Sequence, residues 1–562
     1  MASDLVVKFG AVEQQPTIFP DEQGKLKVIV TNQGDTEFSG PVDLKLYAST
    51  DKELDSDHLN TLGSSRGDRG VYDSLEGLDE LLGSLDKQNI QLAPGQSQTF
   101  TVDFAGSEFR TPSVVSPGLY HLFAEVDSGN NITENKTNNV ANQLITQGDV
   151  VIQWNSILLN AIQASGKGDA LKGTPPPIAA RNQAIVHAAI YDAVNAFDNS
   201  HKSYFVDIDP PQGASVQAAA VGAAYTSLVE LFSDAQLYPD PQLRATLKAT
   251  FDEQRDRSLR EITDNSAAEQ TGFDFGVRVA EEILAVRRND GTNKAQQTPY
   301  TPGHDPGDYK PLSGQTPLLP GWGLVTPFAI PNVNQFRPEG PPEFSSPLYG
   351  RQIEEVRKLG AKFDTDVTKV ARNANETEIA QFWAYDRDDT FRPPGQFNEL
   401  AQEVALAQGN TLAENARLFA LLNIAEADAG IVAWDAKYTY DQLRPITAIH
   451  NAGNDNNPLT IEDKHWEPLL NTPPFPDYVS GHSVFSGAAT QILSRFFGDN
   501  ISFDIPSQEL PGVSRSFGSF TQAGQENAIS RVYGGIHNEL ATVDGVQIGQ
   551  EVGNHVFDNF LT

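Results

Sequence analysis

A β-sandwich joined to a larger, mostly helical body is the fold class this sequence predicts, and three observations predict it. Residues 1 to about 145 alternate apolar and polar positions in short stretches, whereas from about 150 onward apolar residues recur three and four apart. At 562 residues the chain exceeds what one hydrophobic core normally spans, so two folding units are expected, 1–145 and 150–562.

The alternation is clearest in Leu5-Val6-Val7-Lys8-Phe9, Leu26-Lys27-Val28-Ile29-Val30, Val42-Asp43-Leu44-Lys45-Leu46-Tyr47 and Leu119-Tyr120-His121-Leu122-Phe123-Ala124-Glu125-Val126. Gly, Asn and Asp turns separate these runs, the pattern of an antiparallel all-β sandwich. The stretches Tyr47-Ala48-Ser49-Thr50-Asp51 and Asp127-Ser128-Gly129-Asn130-Asn131-Ile132-Thr133-Glu134-Asn135 resemble the CARDB-type, immunoglobulin-like adhesion module of bacterial surface proteins. The acidic loop Asp127 to Glu134 is a candidate Ca²⁺ site, although Asn/Asp/Gly runs of this kind are more often plain turns.

Helical spacing begins with Ile157-Leu158-Leu159 and Ala161-Ile162 and continues through the Ala-rich Ala184 to Val194 stretch, so the second unit is expected to be an all-α helical bundle. Residues 296–348 are rich in Pro and Gly and too long for an ordinary connection; the apolar piece Leu318-Leu319-Pro320-Gly321-Trp322 favours a loop wrapped over the helices. Thr411-Leu412-Ala413-Glu414 is a capping box, and Leu418, Leu421, Leu422 and Ala425 carry its helix toward Trp434 and Lys437. After Ser480-Gly481-His482, the residues Val484, Phe485, Ala488, Ala489, Ile492, Leu493 and Phe496 keep helical period, which puts Ser480 and Gly481 at a helix start.

Composition excludes several functions. Seventy-four acidic against 40 basic residues give a formal charge of -34, which repels nucleic acid and anionic membranes. No run approaches the roughly 18 apolar residues of a membrane span, so no membrane insertion is expected, and Met1-Ala2-Ser3-Asp4 shows no signal-peptide pattern. The sandwich and the acidity nonetheless point to a secreted, periplasmic or cell-surface protein, with the cytoplasm left open. Cysteine is absent and Met1 is the only methionine, which removes thiolate chemistry and suits a protein working beside a strong oxidant. Gly166-Lys167-Gly168 lacks the spacing of a phosphate-binding P-loop.

Against this acidic background three basic runs stand out: Lys437 and Arg444-Pro445 after six intervening residues, Ser480-Gly481-His482, and Ser530-Arg531 with His537 after five intervening residues. They supply an ammonium, two guanidiniums, two imidazoles, a hydroxyl and a Gly amide at a helix N-terminus, a donor set suited to a tetrahedral oxyanion. Each run alone is commonplace, as a surface Lys and Arg, a Ser N-cap or a core histidine; the conjunction carries the reading. Gly534-Gly535 permits a bend that lets Arg531 and His537 reach one point.

Lys-x6-Arg-Pro, Ser-Gly-His and Ser-Arg-x5-His resemble the signature shared by vanadium-dependent haloperoxidases and type 2 phosphatidic acid phosphatases. The stretches Phe382-Trp383-Ala384-Tyr385-Asp386, Pro473-Pro474-Phe475-Pro476, Trp434 ahead of Lys437 and Gly545-Val546-Gln547-Ile548-Gly549 look like the fungal vanadium chloroperoxidase branch. The resemblance implies a vanadate cofactor, with Lys437, Arg444, Ser480, Gly481 and Arg531 on its equatorial oxygens and His537 as the axial ligand. It further implies that His482 bonds the apical oxygen and manages its proton, that Asp386 orients Arg444, and that Trp434 and Phe475 line the halide side. Catalysis would rest on His482, Lys437 and His537, with hydrogen peroxide and chloride, bromide or iodide as substrates; an organic acceptor and a homo-oligomer are further expectations. Relatives usually carry Asp four residues after the axial His, where this chain has Ala541; Glu539 or Asp544 is the expected substitute. Two alternatives stay open: an acid phosphatase with a phosphohistidine at His537, and an adhesion or scaffold protein with an inactive helical domain.

Overall fold

The computed structural model describes residues 4–9, 23–49, 80–105, 119–126, 140–146, 148–167, 173–262, 264–510 and 513–562. The chain divides into two compact units, Met1–Ser156 and Ile157–Thr562.

In the first unit lie strands β1 (Leu5–Phe9), β2 (Gln23–Asn32), β3 (Phe38–Ser49), β4 (Glu80–Leu92), β5 (Ser97–Ala105), β6 (Leu119–Val126) and β7 (Val140–Thr146). They form two antiparallel sheets, β1-β2-β5 and β4-β3-β6-β7. Alternate residues of both sheets meet in one apolar core: Val28, Val30, Phe100 and Val102 from one, and Val42, Leu44, Leu46, Ile90 and Val126 from the other. Period-two burial of β-branched and aromatic residues is what pins this register, since a one-residue slip would turn each run outward. The candidate calcium loop, Asp127 to Glu134, falls outside the described residues.

The remaining elements are α1 (Val150–Ala164), α2 (Pro176–Asn195), α3 (Val216–Phe232), α4 (Pro241–Glu261), α5 (Ser266–Arg287), α6 (Thr292–Gln297), α7 (Pro347–Leu359), α8 (Ala374–Phe382), α9 (Arg392–Gln408), α10 (Leu412–Tyr440), α11 (Pro445–His450), α12 (Gly481–Phe497), α13 (Phe520–Tyr533) and α14 (Glu539–Asn559). The second unit is not purely helical. A short antiparallel pair, β8 (Phe503–Pro506) with β9 (Ser514–Phe517), lies between α12 and α13. Ile505 and Phe517 are buried there, an alternation too brief to register against the helical period around it.

The 29-residue α10 is the central rod, and α2, α12 and α14 pack against it. Both halves of its Thr411/Glu414 capping box are formed. Helices α12 and α14 approach closely because glycines face backbone: a Cβ at Gly549 would sit 2.2 Å from the Val484 carbonyl, and one at Gly487 2.4 Å from that of Val546. This contact seats the start of α12 beside the start of α14. The Pro/Gly-rich segment is a wrapped loop: Asp428 on α10 accepts the amides of Phe328, Ala329 and Ile330, and the Leu318 amide bonds Pro474 O at 2.8 Å. Among the described residues no helix is long and apolar enough to cross a membrane.

Candidate anion-binding active site

Four chain segments end at one point. Lys437 lies in the last turn of α10, one turn after Trp434, and the helix stops at Asp441, which adopts a left-handed φ of 48°. Arg444 then caps α11, with Pro445 at its first position, where a missing N–H costs nothing. Ser480 is the N-cap of α12, its Oγ accepting the Ser483 amide at 3.4 Å, so the amide of Gly481 lies in the turn where helix N–H groups have no helical partner. Arg531 occupies the last turn of α13. The chain then reverses through Gly535, whose φ of 76° and close approach to Gly360 O, 2.4 Å from a would-be Cβ, exclude a side chain; the reversal carries His537 back to the cluster.

Lys437, Arg444, Ser480, His482, Arg531 and His537 are all buried. Arg444 donates from Nε to Phe475 O (2.6 Å) and from Nη1 to Ile536 O (2.7 Å), and its Nη1 lies 3.1 Å from His537 Nε2. A guanidinium can only donate, so His537 Nε2 is the acceptor and the ring proton sits on Nδ1, which donates to Asp477 Oδ1 at 2.5 Å. His482 has the opposite tautomer. Its Nε2 donates to Ala384 O at 2.7 Å, which leaves the Nδ1 lone pair as its second polar site. Arg531 donates to Ser530 Oγ (3.0 Å) and Ala380 O (3.2 Å), and its Nη1 stands 3.4 Å from His482 Nε2. Arg444 Nη2 has no hydrogen-bond partner among the described residues.

The electrostatics follow from burying like charges together. His537 is held well below the ordinary histidine value, first by burial and then by Arg444, Lys437 and Arg531. His482 is lowered to about 4, again by burial first and then by Arg531. Lys437 is lowered well below the usual lysine value by burial and by Arg444, and Arg531 is brought down to about 10 by burial. Burial raises the Asp477 carboxyl to about 7 while Arg444 and Lys437 pull it the other way. Both imidazoles are therefore neutral at pH 7, while the guanidiniums of Arg444 and Arg531 stay charged.

Two expectations need correcting. Asp386 does not pair with Arg444; its carboxylate lies 3.7 Å from Arg531 and 4.0 Å from His482, because the α8–α9 loop approaches from the α13 side. Neither expected substitute at position 541 serves His537: Asp544 accepts from the Tyr478 hydroxyl at 2.6 Å and Glu539 is exposed. Asp477 supplies the carboxylate instead, from a residue sequence reasoning passed over; the only signal was that Ala541 left the position wanting one. Lys437 reaches the cluster but donates to the carbonyls of Pro476 (3.0 Å), Asp477 (3.2 Å) and Val479, so the loop before α12 holds all three of its protons.

On the other side Trp434 and Phe475 pack with ring centroids 5.2 Å apart, Lys437 Nζ lies 4.7 Å over the Phe475 ring and Arg444 Cζ lies the same 4.7 Å from it. A cleft of about 250 Å³ shares Asp386 and Phe475 with this cluster and is otherwise walled by Pro175, Pro176, Leu318 and Arg392 among others. Among the described residues no group of three or more His, Asp or Glu is placed to hold a metal ion.

Residues 146–353 match the family described as the vanadium chloroperoxidase N-terminal domain, and residues 417–562 match that enzyme's second helical-bundle domain. The vanadium chloroperoxidase of Curvularia inaequalis is 26% identical over 495 residues, covering 69% of this chain and 78% of that protein. The structure of a bacterial vanadium-dependent iodoperoxidase superposes with a TM-score of 0.59 at 28% identity, over 72% of this chain and 94% of that one. A bacterial vanadium-dependent chloroperoxidase in its holo form shares the fold, with a TM-score of 0.52 at 17% identity, over 71% of this chain and 95% of that one.

Proposed function

Because this chain belongs to the vanadium haloperoxidase family, we propose that it is a vanadate-dependent haloperoxidase, oxidising a halide with hydrogen peroxide to hypohalous acid. The observation that carries the reading is a buried excess of donors around one acceptor: Arg444 has an unpartnered Nη2 and, beside it, His537 presents an unprotonated Nε2. That combination fits an oxyanion whose central atom takes one nitrogen ligand.

Vanadate, when bound, supplies a Lewis acid that activates peroxide without a change of oxidation state. His537 Nε2 is the residue to hold the metal, and Arg444, Arg531, Ser480 and the Gly481 amide are the groups to hold its oxygens. Lys437 joins them by exchanging one backbone carbonyl for an oxygen of the anion. Neutral His482 takes a peroxide proton on Nδ1, its ring fixed by the bond to Ala384 O. Asp386 steadies Arg531 and His482. Trp434 and Phe475 form the halide side, where the Lys437 ammonium over the Phe475 ring favours an anion against an otherwise apolar wall.

The halide is chloride, bromide or iodide, and the adjoining cleft is the place for an organic acceptor if one is used. For the organisation we propose a CARDB-like, immunoglobulin-type sandwich over 1–145 ahead of the haloperoxidase body over 150–562. Two antiparallel sheets sharing one core support the first part. Export to the cell surface or beyond fits the acidic surface. The test is halogenation of a chlorinatable dione by the purified protein with peroxide and each halide, with and without vanadate. Turnover that requires vanadate is expected; strong phosphomonoester hydrolysis without halogenation would replace this reading with the phosphatase.

A further inference from the structure

We propose that Asp477 is the positioning residue for His537, setting from the loop before α12 the tautomer and ring orientation that aim Nε2 into the anion pocket. The inference rests on the pocket being the vanadate site. Asp477 Oδ1 accepts from His537 Nδ1 at 2.5 Å, with both side chains at most 2% exposed, and Oδ2 accepts from Asn538 Nδ2 at 2.7 Å. Each carboxylate oxygen is thus used, and both bonds go to adjacent residues of one turn. The carboxylate is itself fixed, since its backbone amide donates to Gln442 O at 2.9 Å and its carbonyl accepts from Lys437 Nζ at 3.2 Å.

A neutral imidazole in a polar pocket otherwise exchanges between two tautomers, and only one leaves Nε2 able to take a metal. Here that form is selected from both sides, by a donor-only Arg444 on Nε2 and a carboxylate on Nδ1. Position 541 cannot contribute: Ala541 is buried, its amide is taken by Asn538 Oδ1 at 3.0 Å and its carbonyl by the Ser480 amide at 2.9 Å. The consequence is a coupling. The segment that orients His537 is the one that carries Phe475 at its start and Ser480-Gly481-His482 at its end, so the metal ligand, the halide wall and the oxyanion strap are joined through one stretch of chain.

The test uses the full-length protein free of vanadate, with Asp477→Asn, Asp477→Glu and Asn538→Ala compared with wild type. Vanadate affinity is measured by calorimetric titration, and the His537 tautomer by nitrogen NMR on protein labelled at histidine. Wild type is expected to show a protonated Nδ1 and an unprotonated Nε2. Loss of an outer-shell partner of this kind weakens metal binding about 10- to 100-fold, so Asp477→Asn should lose that much and show a mixed tautomer. Asp477→Glu should recover part of it, and Asn538→Ala, which keeps the Oδ1 bond, should lose less. Vanadate affinity in Asp477→Asn within twofold of wild type overturns the proposal, as does a wild-type His537 protonated on Nε2, a measurement that stands even where a variant fails to fold. Wild-type protein that binds vanadate but halogenates nothing overturns the functional reading alone.

Discussion

Arg181 and Arg287 are buried around a single carboxylate: Arg181 Nε and Arg287 Nη2 lie 2.7 Å and 3.2 Å from Asp290 Oδ2. Most of their other donors end on the carbonyls of Arg287, Thr326 and Pro327, and the Arg287 guanidinium stacks 3.6 Å over the Phe328 ring, which covers its unbonded Nε. Lys437, Arg444 and Arg531 are buried more deeply, yet among the described residues the carboxylate that comes within ion-pair distance of them is Asp386, at 3.7 Å from Arg531 and one-third exposed. In the first cluster both guanidiniums pair directly with their carboxylate; in the second Asp477 spends its oxygens on His537 and Asn538 and Asp386 stands 3.7 Å from Arg531, so Arg444 has no direct ion pair among the described residues. Burial of arginine therefore does not mark a binding site; a buried guanidinium without a direct carboxylate partner does.

Breaking the first cluster should cost the most. Asp290→Asn leaves two buried guanidiniums without a carboxylate between them and is expected to lower unfolding stability by about 3–5 kcal/mol in denaturant titration. Arg444→Met, by contrast, should lower vanadate-dependent turnover about 10²- to 10³-fold, as for loss of a donor to developing charge, while unfolding stability falls by less than in Asp290→Asn. The reverse ranking would dissolve the distinction between the clusters. Vanadate at 100 times its dissociation constant should stabilise the wild-type fold by about 2.7 kcal/mol, seen as a rise in unfolding temperature that Arg444→Met loses.

Burial of His482, reinforced by Arg531, also sets a pH limb. With His482 lowered to about 4, the ring accepts a proton above that pH and is already protonated below it, so turnover should fall about tenfold per unit as pH drops below about 4. An acid limb near 6.5 would mean that neither burial nor Arg531 lowers His482. The smallest effect is expected at Asp386, where a partly exposed carboxylate at 3.7–4.0 Å contributes on the order of 0–1 kcal/mol, so Asp386→Asn should leave the unfolding temperature nearly unchanged.

Much of the site could be read from the chain because its pieces are local. The start of α12 at Ser480-Gly481, the capped α10 that delivers Trp434 and Lys437, and the Gly534-Gly535 reversal all depend on residues within a few positions of one another. The two sheets of the first unit were visible for the same reason, through period-two burial. The brief β8–β9 pair was not, being shorter than the window in which a period shows.

Residue types and short spacings thus determined that this protein gathers cations, imidazoles and a helix N-terminus for an oxyanion. Only the tertiary structure decided who holds whom: that Asp477, sixty positions before His537, bonds its Nδ1, that Asp386 serves Arg531 instead of Arg444, and that Lys437 rests on three carbonyls. Helix identity is set by neighbours in sequence, whereas these partnerships are set by how α10, α12, α13 and α14 pack. A side chain's hydrogen bonds are chosen by what packing brings within 3 Å, which no local pattern encodes.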